Sequence, residues 1–435
     1  MNSTSANLSV SNFNVRNFSI CLVGVSAFTF STIVPGYFAY LSVALCVFFG
    51  VLSFIKLPIL DKRILFFLLF FISPFLVSFA SLPFSMIVEM QRFDYSQLNI
   101  IGRLLNLLIF FVLVLSLSQF SNQINMLLVF KWYKIGIFIL LLTALWHALS
   151  LYTGLVSWPF ETRSNLHSAY GNTYSFTDRV TGIAREPSFF VMYVVDFIAL
   201  AFIFFSGLKR NAAIIFACFI MLLSLSPSGY IVLIMCFCLS YFFTKMSTLS
   251  FSGLCKLAAL FCFFVFFTFF VLGSNNPFFE YIINRVINVD ASSSSRLSML
   301  LGPFEWVKDS SLISFVFGHG LKSFAIVGTN YVLPSGEAVH VTSNNMYVDV
   351  FWEAGVLGLL LMLLYFLFIF VKIFSVKQSQ QQQFVTFFVF FDLVLSAVFR
   401  ADYASLRFFL MLYLLFLLLN YDIGLGKVKS ARSSV

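Results

Sequence analysis

Charge is what this chain has least of. Its 26 Lys and Arg and 17 Asp and Glu, among 435 residues, are set against 60% hydrophobic residues and 62 phenylalanines. So little polarity cannot coat a water-soluble fold, which excludes a soluble globular protein. Histidine is scarce, at four residues. Cysteine is confined: Cys21, Cys46, Cys218, Cys236, Cys238, Cys255 and Cys262 all fall in or beside apolar stretches, so an exported disulfide framework is not expected. Cys236 and Cys238 lack the spacing and the partners of a metal site. No charged leader with a cleavage site is visible in residues 1–17, which are rich in Ser and Asn, so the first apolar stretch is expected to stay as an anchor. No internal repeat of the kind that builds many transporters is visible either.

What is present is apolar length. A bilayer core of about 30 Å takes about 20 apolar residues per helix. The chain offers about twelve such stretches, near 18–35, 38–56, 64–82, 103–120, 135–152, 188–206, 212–226, 228–244, 257–273, 346–370, 384–399 and 405–421. The expected fold is an all-α polytopic membrane protein, a single integral membrane domain over 1–435. The positive-inside rule puts the N- and C-termini in the cytoplasm. Eleven of the thirteen lysines then lie inside, whereas nine of the thirteen arginines lie outside or at the outer edge. The basic balance therefore sits in short cytoplasmic loops and gives no reason to expect nucleic acid.

Lysine is a hydrated point charge suited to an anionic leaflet, and arginine offers a planar fork that matches phosphate oxygens. The outer face thus reads as built to hold a phosphate or carboxylate; the competing reading is that these arginines snorkel or pair with outer acids. Two outer connections are long, 153–187 and 274–345, and long connections in a compact protein are usually functional. In the second, Leu297, Leu300, Leu301 and Phe304 share a helical face ending at Trp306, as in a helix lying on the membrane surface. The stretch QSQQQQF at 378–384 reads as a solvated cytoplasmic turn. In RVTGIAREPSFF, from 179, Pro187 suits the first turn of the next helix, Glu186 sits at its positive end, and Gly182 lets the backbone bend closely around a ligand. Helix capping with an Arg–Glu pair is the plainer account of Glu186.

Three motifs in order, RVTGIAREPS, SRLSML followed by FGHGLKSF, and SNNMYVDVFWEAGVLGLLL, resemble the bacterial O-antigen polymerases (Wzy-type) and the related O-antigen ligases over roughly residues 160–375. The resemblance implies two outer, arginine-bearing loops around a site that transfers a polyprenyl-pyrophosphate-linked glycan to an acceptor, with inversion at the anomeric carbon. Ligases more often carry a His-Pro-Asn-like pattern where this chain has Glu186-Pro187-Ser188, which leans toward the polymerase. Many members place a histidine directly before the Asn of the last motif. Here Thr342-Ser343-Asn344-Asn345 stands in that place, and the nearest histidine is His340.

Displacing a lipid pyrophosphate builds negative charge on the leaving group, so fixed cations stabilise the transition state more than the ground state. The outer segments show no Asp-x-Asp or similar acid cluster, so arginines rather than Mg²⁺ are expected to supply the charge, with no cofactor. Arg179, Arg185 and Arg296 are the expected pyrophosphate ligands. Asn344, Asn345 and Glu353 complete the substrate-binding set, and Glu186 or His340 is the base or orienter, with Glu337, Asp349 and Glu353 as further outer acids. The expected partners are a polyprenyl-pyrophosphate-linked oligosaccharide, membrane lipids and a chain-length regulator. Two alternatives remain: a ligase handing the glycan to lipid A-core, and a flippase or other transporter. The latter would use polar groups at mid-membrane, where Asp196 and Asp392 are the only acids well inside spans.

Overall fold

The structure, a computed structural model, describes residues 15–34, 36–56, 61–89, 100–120, 126–160, 179–246, 300, 302–304, 307–324 and 343–423. Within them the chain is helical or irregular, apart from one isolated bridge between Thr32 and Ala184. The helices are α1 (Val15–Ser26, continued by a 3₁₀ turn Ala27–Ser31), α2 (Tyr37–Lys56), α3 (Lys62–Glu89), α4 (Ile100–Phe120), α5 (Leu128–Thr153), α6 (Pro187–Phe204), α7 (Gly207–Leu223), α8 (Pro227–Met246), α9 (Leu312–Phe317), α10 (Met346–Ser375), α11 (Gln380–Phe399) and α12 (Leu406–Asn420). Seven of these, α3, α4, α5, α6, α8, α10 and α11, are long and apolar enough to cross a membrane; the part of α2 over Tyr37–Leu52 and α12 form shorter apolar helices. This is a multi-pass membrane protein. The apolar stretch at 257–273, the segment around Leu297 and most of the two long connections lie outside the described residues.

Local chemistry fixes where the helices start. Pro187 takes the first position of α6, where its missing N–H costs nothing, after an extended Glu186 (φ −144°, ψ 150°). Asn345 caps α10, its Oδ1 accepting from the N–H groups of Tyr347 (2.9 Å) and Val348 (3.1 Å). Ser379 caps α11 and Ser405 caps α12 in the same way, through the N–H groups of Gln382 and Phe408. The glutamine stretch therefore opens a helix instead of forming a solvated turn. Gln382 is buried, and its Nε2 donates to the carbonyls of Leu418 (2.9 Å) and Tyr421 (2.8 Å) at the end of α12.

The α12 helix is apolar on every side and buried from Leu406 to Leu419, which makes it the bundle's axis. Around it, α3 pairs with α10, α8 with α11, α1 with α5 and α2 with α4, while α6 lies against α5, α7, α8 and α11. Aromatic rings fill much of the space: Phe71 stacks on Phe408 at 5.5 Å and Phe75 on Tyr403 at 4.7 Å. The connectors gather at two ends. One joins the turns at 27–34, 179–186 and 223–226 through mutual hydrogen bonds, with 400–405 tied to Ser188 at the start of α6 and 318–324 bonded to Ser85 of α3 and to Trp352 and Glu353 of α10. At the other, Lys372 reaches Asn420 (3.4 Å), Arg63 lies over Tyr421 (5.8 Å) and Lys134 over Phe205 (4.2 Å). The sequence's split of arginines from lysines is thus largely a split between the two ends of the bundle.

Gly182 shows how tightly the first end is built. Its φ is +57°, and a Cβ there would stand 2.6 Å from Thr143 Oγ1 and 2.7 Å from the Ala144 nitrogen on α5. The close approach is to a helix, not to a ligand. Gly182→Ala is expected to cost about 1–3 kcal/mol, seen as a lowered thermal midpoint. Gly207→Ala, at φ +55° with nothing within 4 Å, carries the backbone penalty alone and should lose less.

Candidate functional site

The arginine-rich end is organised by the connector Arg400-Ala401-Asp402-Tyr403-Ala404-Ser405 and the first turn of α12. Short and pinned between α11 and α12, it turns its polar side chains onto three neighbouring groups.

Arg400 donates from Nη1 to Ser188 Oγ (2.9 Å), and that hydroxyl donates to Glu186 Oε2 (2.9 Å). The guanidinium lies over the Phe189 ring, 3.1 Å from its centroid. Its Nε is buried with no hydrogen-bond partner, and burial pulls Arg400 below the ordinary guanidinium value. Beside it, the exposed Arg185 fixes its backbone N–H on Ser31 O (3.0 Å) and its Nε on Thr32 O (2.9 Å), leaving the outer nitrogens of the fork unspent. Among the described residues neither arginine forms an ion pair. Two guanidinium groups with unspent donors thus stand at the positive end of α6, where phosphate or carboxylate is favoured.

Deeper in, Arg407 is bidentate on Asp196 (Nε to Oδ2 2.9 Å, Nη2 to Oδ1 2.8 Å) and also holds both oxygens of Asp392 at 3.1 Å. Tyr133 donates to Asp196 Oδ2 (2.5 Å), and Asp402 lies 3.6 Å from Arg407 Nη1. Asp196, Asp392 and Arg407 are 0%, 0% and 2% exposed. On the far side, Arg103 pairs with Glu353 Oε1 (2.6 Å) and donates to the Tyr403 hydroxyl, which donates to Glu353 Oε2 (2.9 Å). Burial pushes Tyr403 well above the ordinary phenol value. The main chain of α10 breaks helical geometry at Gly355 (φ 67°), and the Glu353 carbonyl accepts from Ser78 Oγ (2.8 Å) and the Gly320 N–H (3.0 Å). His319 stacks on Trp352 at 3.8 Å.

The expected site residues distribute unevenly over this frame. Arg185 and Glu186 come together at the start of α6, with Ser188 and Arg400. Arg179 does not join them: it is 6% exposed, and its Nε and Nη2 donate to the carbonyls of Ser224 (3.1 Å) and Leu225 (2.8 Å) after α7. A cation on those carbonyls neutralises the negative end of α7, a structural task that turns the fork away from solvent. Glu353 is 1% exposed with both oxygens bonded, so it holds the frame instead of binding a substrate at the surface. Asn345 spends its oxygen on the α10 cap, while Asn344 is exposed at φ 58°. Asp349 accepts from the N–H (2.9 Å) and hydroxyl (2.6 Å) of Ser343. Arg296, His340 and Glu337 lie outside the described residues.

Sequence reasoning passed over Arg400, Asp402, Tyr403 and Arg103 as individual groups. For the first three the signal was the density of polar residues in RADYASLR, which joins two apolar helices; Arg103 stands alone near the start of α4, with no such cluster around it. No family model matches the chain, and no curated protein matches it.

Proposed function

We propose that the chain is a glycosyltransferase of the O-antigen polymerase type, with about twelve spans, the lysine-rich end in the cytoplasm and the arginine-rich end at the periplasmic face of a bacterial inner membrane. It moves a glycan from its polyprenyl pyrophosphate onto the non-reducing end of a lipid-linked repeat unit. The observation that carries this reading is the pair Arg185 and Arg400, with unspent guanidinium donors at the positive end of α6. The acceptor hydroxyl attacks the anomeric carbon, the bond from that carbon to the pyrophosphate oxygen breaks, and the leaving group takes the electron pair between the two guanidiniums. The acceptor's proton passes to Glu186 or His340, while Arg296 and Asn344 remain candidates for substrate contacts. The acids that would support transport, Asp196 and Asp392, are instead spent on Arg407.

Purified protein given lipid-linked repeat units, with excess EDTA and no nucleotide sugar, is expected to form long chains, because the donor's own pyrophosphate leaves. A strict Mg²⁺ requirement would overturn the arginine-based scheme. In cells, loss of the gene should leave single repeats attached to lipid A-core; loss of all repeats would make the protein a ligase.

A further inference from the structure

At the end of the bundle opposite Arg400, a pocket of about 220 Å³ opens between α6, α7, α8 and α11. At about 30 Å³ per water, it has room for roughly seven waters, enough for a phosphate group with part of its hydration. Two cations line it, Arg210 and Lys245, and no carboxylate does. The Arg210 Nε is buried without a hydrogen-bond partner, and the guanidinium is held over the Phe202 ring at 5.5 Å. Gln380 and Gln381, the first residues of the 20-residue α11, also line the pocket. Their backbone N–H groups have no acceptor within the helix, because no helical carbonyl lies four residues before them, and Ser379 accepts from Gln382 and Gln383 instead.

Donors, positive charge and a helix N-terminus converge on one cavity whose other walls are the rings of Phe202, Tyr241 and Phe384. The geometry points to a phosphate-binding site at this end of the molecule, occupied by the headgroup of an anionic phospholipid. A free phosphate ion has no use for the aromatic walls. The glycerol and first methylenes of a lipid would lie against them while the phosphate oxygens meet Arg210, Lys245 and the α11 N–H groups. This site is independent of the chemistry proposed for the arginine-rich end.

The test is the thermal midpoint of the full chain in neutral detergent, titrated separately with phosphatidylglycerol, phosphatidylcholine and inorganic phosphate. A ligand that binds only the folded state raises the midpoint. Phosphatidylglycerol should raise that of the wild type and phosphatidylcholine should not. Arg210→Gln should weaken the phosphatidylglycerol effect about fivefold in concentration. Lys209→Gln, an exposed neighbour with the same charge change, should leave it intact. Gln381→Glu, also at an exposed position, puts a carboxylate at the pocket and should abolish the effect even if Arg210→Gln fails to fold. An Arg210-dependent shift with inorganic phosphate alone would keep the site and make free phosphate its occupant. Equal losses in Arg210→Gln and Lys209→Gln would reduce the effect to surface charge, and the absence of any shift in the wild type would remove the site.

Discussion

Arg407→Gln is expected to eliminate folded protein from detergent extracts, the largest stability effect predicted for this chain. Arg407 is the only cation hydrogen-bonded to Asp196 and Asp392 among the described residues, and all three side chains are essentially inaccessible. Removing the guanidinium leaves two carboxylates facing one another in the apolar interior, and breaking a buried ion pair from one side costs about 3–5 kcal/mol. The net stability of a typical domain is about 5–15 kcal/mol, so the loss takes much of the margin. The remedy is specific. Replacing all three, Arg407→Gln with Asp196→Asn and Asp392→Asn, removes the three fully buried charges, leaving only the partly exposed Asp402, and restores hydrogen-bonding amides, so the triple variant should recover a monodisperse peak and a measurable melting transition. Arg407→Gln alone melting like the wild type would mean that the cluster is hydrated and not a lock.

That cluster also shows where sequence reading stops. Pro187 at the start of α6 was legible because a proline at the first position needs only its own helix, whereas the Glu186 side chain caps no N–H and accepts from the Ser188 hydroxyl instead. Asp196 and Asp392 also stood out locally, as acids inside apolar stretches. Their partner lies 211 and 15 residues away, and nothing local says which arginine will meet them. Arg179 and Arg185 look alike in the sequence, six residues apart in one motif. One turns onto the carbonyls that end α7 and the other keeps its fork outward, because 179–180 packs on 223–225 while 183–185 pairs with 31–33. Gly182 announced a close approach, but only the fold shows that α5 is what comes close. In the glutamine stretch polarity was read as exposure, whereas Gln382 is buried because its amide satisfies carbonyls at the end of α12.

Arg185→Lys and Arg400→Lys should each cut polymer formation by roughly 10–100-fold, the value of a charge-assisted hydrogen bond of about 1.5–3 kcal/mol. Lysine keeps the charge and loses the planar fork, so a bidentate grip on pyrophosphate is lost while long-range attraction remains. Because that grip tightens as charge moves onto the leaving oxygen, the defect should appear in kcat as well as in kcat/KM, with normal protein in the membrane. Arg400 also holds Ser188 and, through it, Glu186, so its variant could act by releasing the start of α6. Ser188→Ala separates the two: it breaks the link to Glu186 and leaves the guanidinium over Phe189. If Arg400 meets the leaving group itself, Ser188→Ala should retain most of the turnover that Arg400→Lys loses. Equal losses in the two variants would make Arg400 a positioning residue for Glu186. Lys209→Arg, at the other end of α6, changes only an exposed cation and should be silent. Should Arg185→Lys polymerise normally at normal expression, Arg185 is an interfacial anchor tied to Thr32 and the pyrophosphate must be held elsewhere.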